Sequence, residues 1–165
     1  FGADTVSDTP NPSIYHNGTM IENYFSPDDG VADVIVGLIN NAQESIIFMA
    51  FSFTSDPISE AIQARAEEGV SVAGVLDESQ MKSNQGGEYD VLVQAGYDIH
   101  VDGIEGLMHH KVFIIDEEIL ITGSYNFSRS AEERNDENIL VIYNSDIAQE
   151  FLKEFERVQA QIEIE

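Results

Sequence analysis

One run of six apolar residues, from Ile46 to Phe51, constrains the fold more than any other feature of this 165-residue chain. Side chains on a strand alternate between its two faces, so a strand built from this run must bury both faces. Strands of that kind lie inside a sheet that helices cover on both sides. A chain of this length can form one such core and rarely more. We therefore expect a single α/β domain.

Helix and strand signals alternate around this run. Apolar residues recur at helical spacing over 31–39, and Asp56-Pro57 begins a second helix that extends to about residue 68. Gly69 ends that helix before a strand over 70–76, which completes a βαβ pattern. Further along, the patterns predict a helix over 86–95, strands over 97–101, 107–115, 119–122 and 139–143, and a closing helix over 145–161.

Residues 1–20 are polar and interrupted by proline, asparagine and glycine, which predicts a tail or linker ahead of a domain over 21–165. Phe1 stands in place of an initiator methionine, so we expect a processed N-terminus and leave secreted and cytoplasmic locations open. No apolar run approaches the roughly 18 to 20 residues that a membrane-spanning helix needs, which predicts a soluble domain. The chain has no cysteine, so disulfides, thiolate zinc sites and cysteine nucleophiles are excluded.

Two pairs of polar residues follow apolar strand signals in the second half of the chain. His109 and Lys111 stand two positions apart in the predicted strand 107–115, so both side chains leave the same face. Ser124 and Asn126 have the same spacing after the next apolar stretch. The polar sequence Asp116-Glu117-Glu118 between the two stretches predicts the tight turn of a hairpin. The four side chains are therefore expected to converge on one anion.

The order and spacing of these residues resemble a known family. The pattern His109-x-Lys111-x4-Asp116, then Gly123-Ser124-x-Asn126 and Glu137-Asn138, is similar to the phospholipase D superfamily with its HKD motif. The likeness is strongest to its small single-motif branch, which contains bacterial endonucleases and the mitochondrial cardiolipin hydrolase or Zucchini type. It implies a phospholipase D-like mixed β-sheet flanked by helices on both faces, with one HKD motif per chain and a catalytic domain over 21–165.

The resemblance implies a phosphodiesterase reaction. His109 would attack phosphorus and form a covalent phosphohistidine, which water then hydrolyses. Lys111, Ser124 and Asn126 would hold the nonbridging phosphate oxygens and stabilise the charge of the transition state. Glu137 would accept the Nδ1 hydrogen of the imidazole. We group Asp116 with the catalytic motif but expect it to brace the site, because its strand parity is opposite to that of His109.

The leaving oxygen needs a proton, and the family uses a second motif histidine as the general acid. This chain has a single motif, so we expect a homodimer with two copies of His109 facing each other across the two-fold axis. No cofactor is expected. The mechanism needs no metal, and we expect none to be bound.

The charge balance fits least well with a polyanionic substrate, because 31 acidic residues against seven basic ones give a formal net charge of −24. Nucleic-acid binders normally carry a basic surface. One interpretation is a local positive mouth on an acidic body, and another is adaptation to high salt, where screening weakens repulsion. The basic residues divide accordingly into four expected near the motif (Lys82, Lys111, Arg129 and Arg134) and three on outer helices (Arg65, Lys153 and Arg157).

Three functions remain open from the sequence. We favour an endonuclease that cleaves DNA or RNA, since strong negative charge disfavours approach to anionic membranes. A phospholipase D-type lipid hydrolase is the first alternative and would need an apolar entry beside the site. A non-catalytic module that binds phosphate or nucleic acid is the second.

Overall fold

The computed structural model describes residues 9, 12–83 and 87–162. Within them the chain forms an eight-stranded mixed sheet with the strand order β1-β2-β8-β7-β6-β3-β4-β5. The elements are β1 (Ser13–His16), β2 (Thr19–Ser26), α1 (Val31–Asn40), β3 (Ser45–Ala50), α2 (Asp56–Glu67), β4 (Ser71–Leu76), α3 (Glu78–Ser83), α4 (Tyr89–Gln94), β5 (Asp98–Val101), β6 (Lys111–Ile115), β7 (Ile119–Gly123), α5 (Arg129–Glu133), β8 (Glu137–Tyr143) and α6 (Ser145–Gln159).

Strand β3 lies inside the sheet, parallel to β4 and antiparallel to β6. Its alternate residues enter different cores, because Phe48 packs with α1 and α2 on one face while Met49 packs with α6 on the other. Both side chains are fully buried. The structure therefore confirms the α/β fold, with helices on both faces of a mixed sheet.

The hairpin of β6 and β7 turns where the sequence predicts. Asp116 and Glu117 have φ values of 53° and 56°, and Ile115 pairs with Ile119 across the turn. Two consecutive left-handed residues give the backbone a twist that matches that of the flanking strands. The turn lies at the end of β6 that is remote from Lys111.

The structure differs from the sequence-based expectation at the N-terminal side. Residues 13–20 fall in the expected tail, but 13–16 form β1 and 19–20 begin β2, joined by a turn at Asn17 and Gly18 with positive φ. All four residues of β1 are exposed because it is an edge strand, so burial leaves no apolar pattern there. Residues 1–8, 10 and 11 of the expected tail lie outside the described residues.

Other boundaries also differ. The expected strand over 107–115 begins only at Lys111, and the part of the expected helix over 86–95 that the structure describes is helical over 89–94. The short helices α3 and α5 were not expected. No helix of the described residues is long and apolar enough to span a membrane.

Candidate active site

The candidate site lies where the C-terminal end of β3 meets the beginning of β6. Ala50 pairs with Lys111, and the chain continues from Ala50 into Phe51, whose backbone N–H donates to the His110 carbonyl at 2.8 Å. The motif histidine thus lies just ahead of β6 rather than within it. A histidine outside the regular strand is free of the sheet's register, so its position depends on its side-chain contacts.

His109 and Lys111 contact each other as the sequence predicts, although only one of them is in the strand. Lys111 Nζ lies 3.3 Å from His109 Nε2 and donates to the His109 carbonyl oxygen at 3.1 Å. The ring of Phe51 packs against the imidazole, with 4.3 Å between centroids, and Nζ lies 4.7 Å from the Phe51 centroid. The same aromatic ring therefore fixes the imidazole and stabilises the ammonium through its face.

The ammonium of Lys111 is in an unusual environment for a lysine. Lys111 is only 7% exposed, and burial lowers the pKa of its ammonium. The negative charges of Glu137 and Asp77 raise this pKa and offset part of the shift. A partly desolvated cation interacts more strongly with a nearby anion than one in bulk water. Lys111 can therefore bind a nearby anion strongly, although the protein as a whole is acidic.

Asp77 is a buried carboxylate near the site that the sequence did not point to. It is 1% exposed at the end of β4, and its carboxylate accepts from the Met108 backbone N–H at 2.9 Å. The same carboxylate accepts from the Gln80 N–H at 2.9 Å and from the Ser79 hydroxyl. Asp77 thereby connects the beginning of α3 to the residue that precedes His109, which positions the segment leading into β6.

The segment that carries Ser124 and Asn126 is connected to the His109 segment by backbone hydrogen bonds to one short loop. Residues 51–54 form this connection, because Phe51 bonds to His110 while the Phe127 N–H donates to the Ser52 carbonyl at 3.1 Å. The Phe127 carbonyl in turn accepts from the Thr54 N–H at 2.8 Å. Loop 51–54 therefore holds the end of the His109 segment and the end of the Asn126 segment together.

Ser124 and Asn126 differ in how their polar atoms are satisfied. The Ser124 hydroxyl oxygen accepts from the Asn138 N–H at 3.1 Å, and the Ser124 N–H donates to the Asn138 carbonyl at 3.0 Å. Asn126 Oδ1 is buried and has no hydrogen-bond partner among the described residues. Leaving a buried acceptor without a donor costs on the order of 1 to 3 kcal/mol.

Glu137 lies beside the site at the start of β8. Its carboxylate accepts from Asn135 Nδ2 at 3.1 Å, and its charge raises the pKa of Lys111. No hydrogen bond between Glu137 and the His109 ring is present among the described residues. The proposed orientation of the imidazole by Glu137 therefore stays a prediction.

Asp116 is not brought to the site, although the sequence grouped it with the catalytic residues. It sits at the opposite end of β6, and its carboxylate accepts from the backbone N–H groups of Gln43, Glu44 and Ser45 at 2.7 to 3.1 Å. Burial raises the pKa of Asp116, but these three hydrogen bonds outweigh it and hold the pKa below the ordinary value. Asp116 therefore braces the loop between α1 and β3.

The neighbouring histidine faces a different element. His110 Nε2 lies 3.0 Å from Glu154 Oε1 on α6, and Arg157 donates two hydrogen bonds to the same carboxylate at 2.7 Å. The bonds from Arg157, with a further contribution from His110, lower the pKa of Glu154 to about 2. This cluster anchors α6 to the residue that follows His109.

Most of the basic residues are neutralised by nearby carboxylates. Of the four expected near the motif, Lys82 pairs with Glu78 and Arg129 with Glu133, while Lys111 and Arg134 have no ion pair among the described residues. The three on outer helices also pair with acidic neighbours, namely Arg65 with Glu68, Lys153 with Glu150 and Arg157 with Glu154. Over residues 9, 12–83 and 87–162, no cluster of three or more histidine and carboxylate side chains could hold a metal ion.

Comparison with known proteins identifies the family. Residues 35–159 match the model described as "Cardiolipin synthase, PLD-like domain". The chain is 32% identical to a phospholipase D from Rickettsia bellii over 90% of this chain and 76% of that protein. It is 36% identical to the mouse mitochondrial cardiolipin hydrolase over 71% of this chain, and spans about half (52%) of that protein.

A solved structure agrees in fold over nearly its whole length. Nuc from Salmonella typhimurium, a phospholipase D family member, superposes with a TM-score of 0.81 and 30% identity, and the match covers 87% of this chain and 95% of Nuc. The family match over residues 35–159 includes His109 and Lys111, and family and fold agree. The chain belongs to the phospholipase D superfamily and is a phosphodiesterase-type enzyme.

Proposed function

We propose that the protein is an endonuclease that cleaves phosphodiester bonds of DNA or RNA through a covalent intermediate on His109. In the first step His109 Nε2 forms a bond to phosphorus as the bond to the leaving oxygen breaks, and a general acid protonates that oxygen. In the second step water attacks phosphorus, its proton passes to the same general acid, and the bond from Nε2 to phosphorus breaks. Neutral imidazole serves as both nucleophile and leaving group.

The contact between His109 Nε2 and Lys111 Nζ is the observation that carries this proposal. At 3.3 Å the two nitrogens face the same small space, so one phosphate can meet the nucleophile and the ammonium together. Asn126 supports the arrangement, since its amide N–H groups can donate to a phosphate oxygen. Lys111 and Asn126 would then hold charge that develops on the nonbridging oxygens.

The general acid in this proposal is a second copy of His109. The chain supplies one histidine at the site, and His109 and Leu107 are both exposed, with Leu107 at 57% of its full accessibility. An exposed nucleophile beside an exposed apolar side chain fits a surface that a second copy covers. We therefore propose a homodimer whose two-fold axis passes between the two imidazoles.

Nucleic acid is favoured over lipid by the polar rim of the site. The segment between Asn126 and Glu137 presents exposed polar and charged side chains, including Arg134, rather than an apolar entry. The other large exposed apolar side chains lie on β1, near the end of β2 and on α4. Lipid hydrolysis remains the second candidate function, because curated relatives are named phospholipase D and mitochondrial cardiolipin hydrolase.

Cleavage assays test the proposal directly. Single-stranded DNA, duplex DNA, RNA and vesicles containing an anionic phospholipid are incubated with the wild type, with His109→Ala and with His100→Ala, in EDTA and over a range of salt. His100 lies on β5 and pairs with Asp98, so it is a matched histidine outside the site. We expect nucleic-acid cleavage that His109→Ala abolishes and His100→Ala preserves.

The alternatives give different results in the same assay. Turnover of lipid alone would identify a phospholipase, and binding without any His109-dependent turnover would identify a binding module. Strict dependence on a divalent ion would contradict the metal-free reaction. Sedimentation equilibrium measures the oligomeric state, and a monomer with full activity would contradict the shared site.

A further inference from the structure

A cavity of about 170 Å³ lies beside the candidate site, at the C-terminal ends of β3 and β4. Ligands of α/β proteins commonly bind at the carboxyl ends of strands. The lining of the cavity comes from the segment that follows β3, from the end of β4, from α3 and from the beginning of α4. Its lining includes Phe51, Leu76, Gln80, Met81, Tyr89 and Asp90.

Phe51 is a wall that the cavity and the reactive centre share. Its ring lines the cavity and also packs against His109, with 4.3 Å between ring centroids. A group held in the cavity therefore lies one aromatic ring away from the nucleophile. That distance suits a part of the substrate attached close to the phosphorus that His109 attacks.

The size and lining of the cavity indicate what that part is. A cavity of roughly 150 Å³ holds a ring the size of benzene. Phe51, Met81 and Tyr89 offer apolar and aromatic surface, while Gln80 and Asp90 add an amide and a carboxylate. Aromatic side chains bind unstacked bases, and a carboxylate accepts from the exocyclic amine of cytosine.

We propose that this cavity is a subsite for one unstacked pyrimidine base, with cytosine preferred, in a nucleotide adjoining the scissile phosphate. The inference rests on the proposed nuclease function and adds to it a specificity pocket. A neutral base suits the acidic surroundings better than another phosphate does, because Asp90 repels anions but accepts hydrogen bonds. The base must leave its stack to enter, so the pocket engages single-stranded segments.

The position of Gln80 supports a recognition role. Its backbone N–H donates to the buried Asp77 carboxylate, which also binds the Met108 N–H. One buried side chain thus fixes the cavity wall at Gln80 and the segment that leads into His109. The position of the cavity relative to the nucleophile is therefore fixed, which cleavage beside a specific base requires.

The test measures coupling between the base and the pocket. Short single-stranded oligonucleotides carry one cytosine, thymine, adenine or abasic site at a defined position, and kcat/KM is measured for cleavage of the adjoining bond. The enzymes are the wild type, Tyr89→Ala, which removes a wall, and Met81→Phe, which fills the cavity. Val91→Ala on the exposed side of α4 is the matched control, and thermal melting confirms that each variant is folded.

We expect the wild type and Val91→Ala to cleave beside cytosine about tenfold faster than beside the abasic site, the size of one base-stacking contact. Tyr89→Ala and Met81→Phe should lose this difference, whereas Val91→Ala keeps it. Met81→Phe keeps the proposal testable if Tyr89→Ala does not fold, because Tyr89 also packs against the core.

Four results would overturn the inference. An unchanged cytosine advantage in both folded pocket variants, or faster wild-type cleavage beside adenine than beside cytosine, would exclude the pyrimidine subsite while leaving His109-dependent nuclease activity standing. Loss of lipid turnover in Tyr89→Ala, with cleavage of nucleic acid unaffected, would assign the cavity to a lipid headgroup. Absence of His109-dependent cleavage of every nucleic acid would overturn the proposed function together with the subsite.

Discussion

Replacing Asp116 should weaken the fold and leave the chemistry intact. Its carboxylate accepts from the backbone N–H groups of Gln43 (2.9 and 3.1 Å), Glu44 (2.7 Å) and Ser45 (2.9 Å), and its own N–H donates to the Ser45 carbonyl at 2.9 Å. The side chain thus binds three consecutive backbone N–H groups of the loop that leads into β3. It lies at the end of β6 opposite His109, so no substrate atom at the site can touch it.

The expected cost follows from these bonds and from the backbone. A hydrogen bond to a charged group contributes roughly 1.5 to 3 kcal/mol, and three donors that are partly exposed can recover some of that from water. Asp116 is also in the left-handed region with φ of 53°, where alanine is less favourable than asparagine or aspartate by roughly 1 kcal/mol. We therefore expect Asp116→Ala to lower the free energy of unfolding by about 3 kcal/mol. Asp116→Asn should lower it by about 1 kcal/mol.

Urea unfolding at several pH values measures this difference, and kcat is measured under conditions in which each variant is folded. The folded-state pKa of Asp116 is below its unfolded value, so its contribution is present above about pH 4 and is lost as the pH falls through the folded pKa. The gap between wild type and Asp116→Ala should shrink accordingly in acid. A large loss of kcat in folded Asp116→Ala at unchanged stability would refute the reasoning and return Asp116 to the catalytic group.

Three further predictions concern charge. Asp77→Asn removes a negative charge that raises the pKa of Lys111, so the alkaline limb of the kcat/KM profile should move to lower pH; an unmoved limb would exclude Lys111 as its cause. The folded pKa of Glu154 is about 2, so its stabilisation is complete above its ordinary value of 4.5 and fades toward pH 2; urea unfolding of Glu154→Gln should show a weaker acid dependence than the wild type. Initial rates of nucleic-acid cleavage should rise with salt, whereas a fall would show that a basic surface attracts the substrate.

The buried strands could be predicted because burial requires apolar residues at characteristic positions in the sequence. The strand over 45–50 is apolar on both faces since helices cover both, and the polar turn at Asp116 separates two buried strands. The exposed edge strand over 13–16 has no such apolar pattern, so the sequence predicts a tail there. Its formation depends on pairing with β2, which the residues of β1 do not encode by themselves.

The site was predictable in its residue types and less so in its contacts. Spacing brought His109 and Lys111 together correctly, but through a loop residue and a strand residue instead of two positions on one strand. Asp77 was missed because its partner Met108 is 31 residues away and its own neighbours carry no motif. Asp116 was grouped with the catalytic residues because it completes the family's motif, although it braces the loop at the far end of β6.

The acidic surface and the anionic substrate can be reconciled by the range of the forces involved. Five of the seven basic residues pair with carboxylates of the same or a neighbouring helical turn, so the long-range field of a chain with a net charge of −24 repels nucleic acid. Attraction must then come from contact, through the partly desolvated Lys111 and through neutral groups such as Asn126. At about 1 M salt the Debye length is about 3 Å, so added salt suppresses the repulsion much more than the contact. An ordinary basic nuclease binds more weakly as salt rises, and the opposite trend is what this distribution of charge requires.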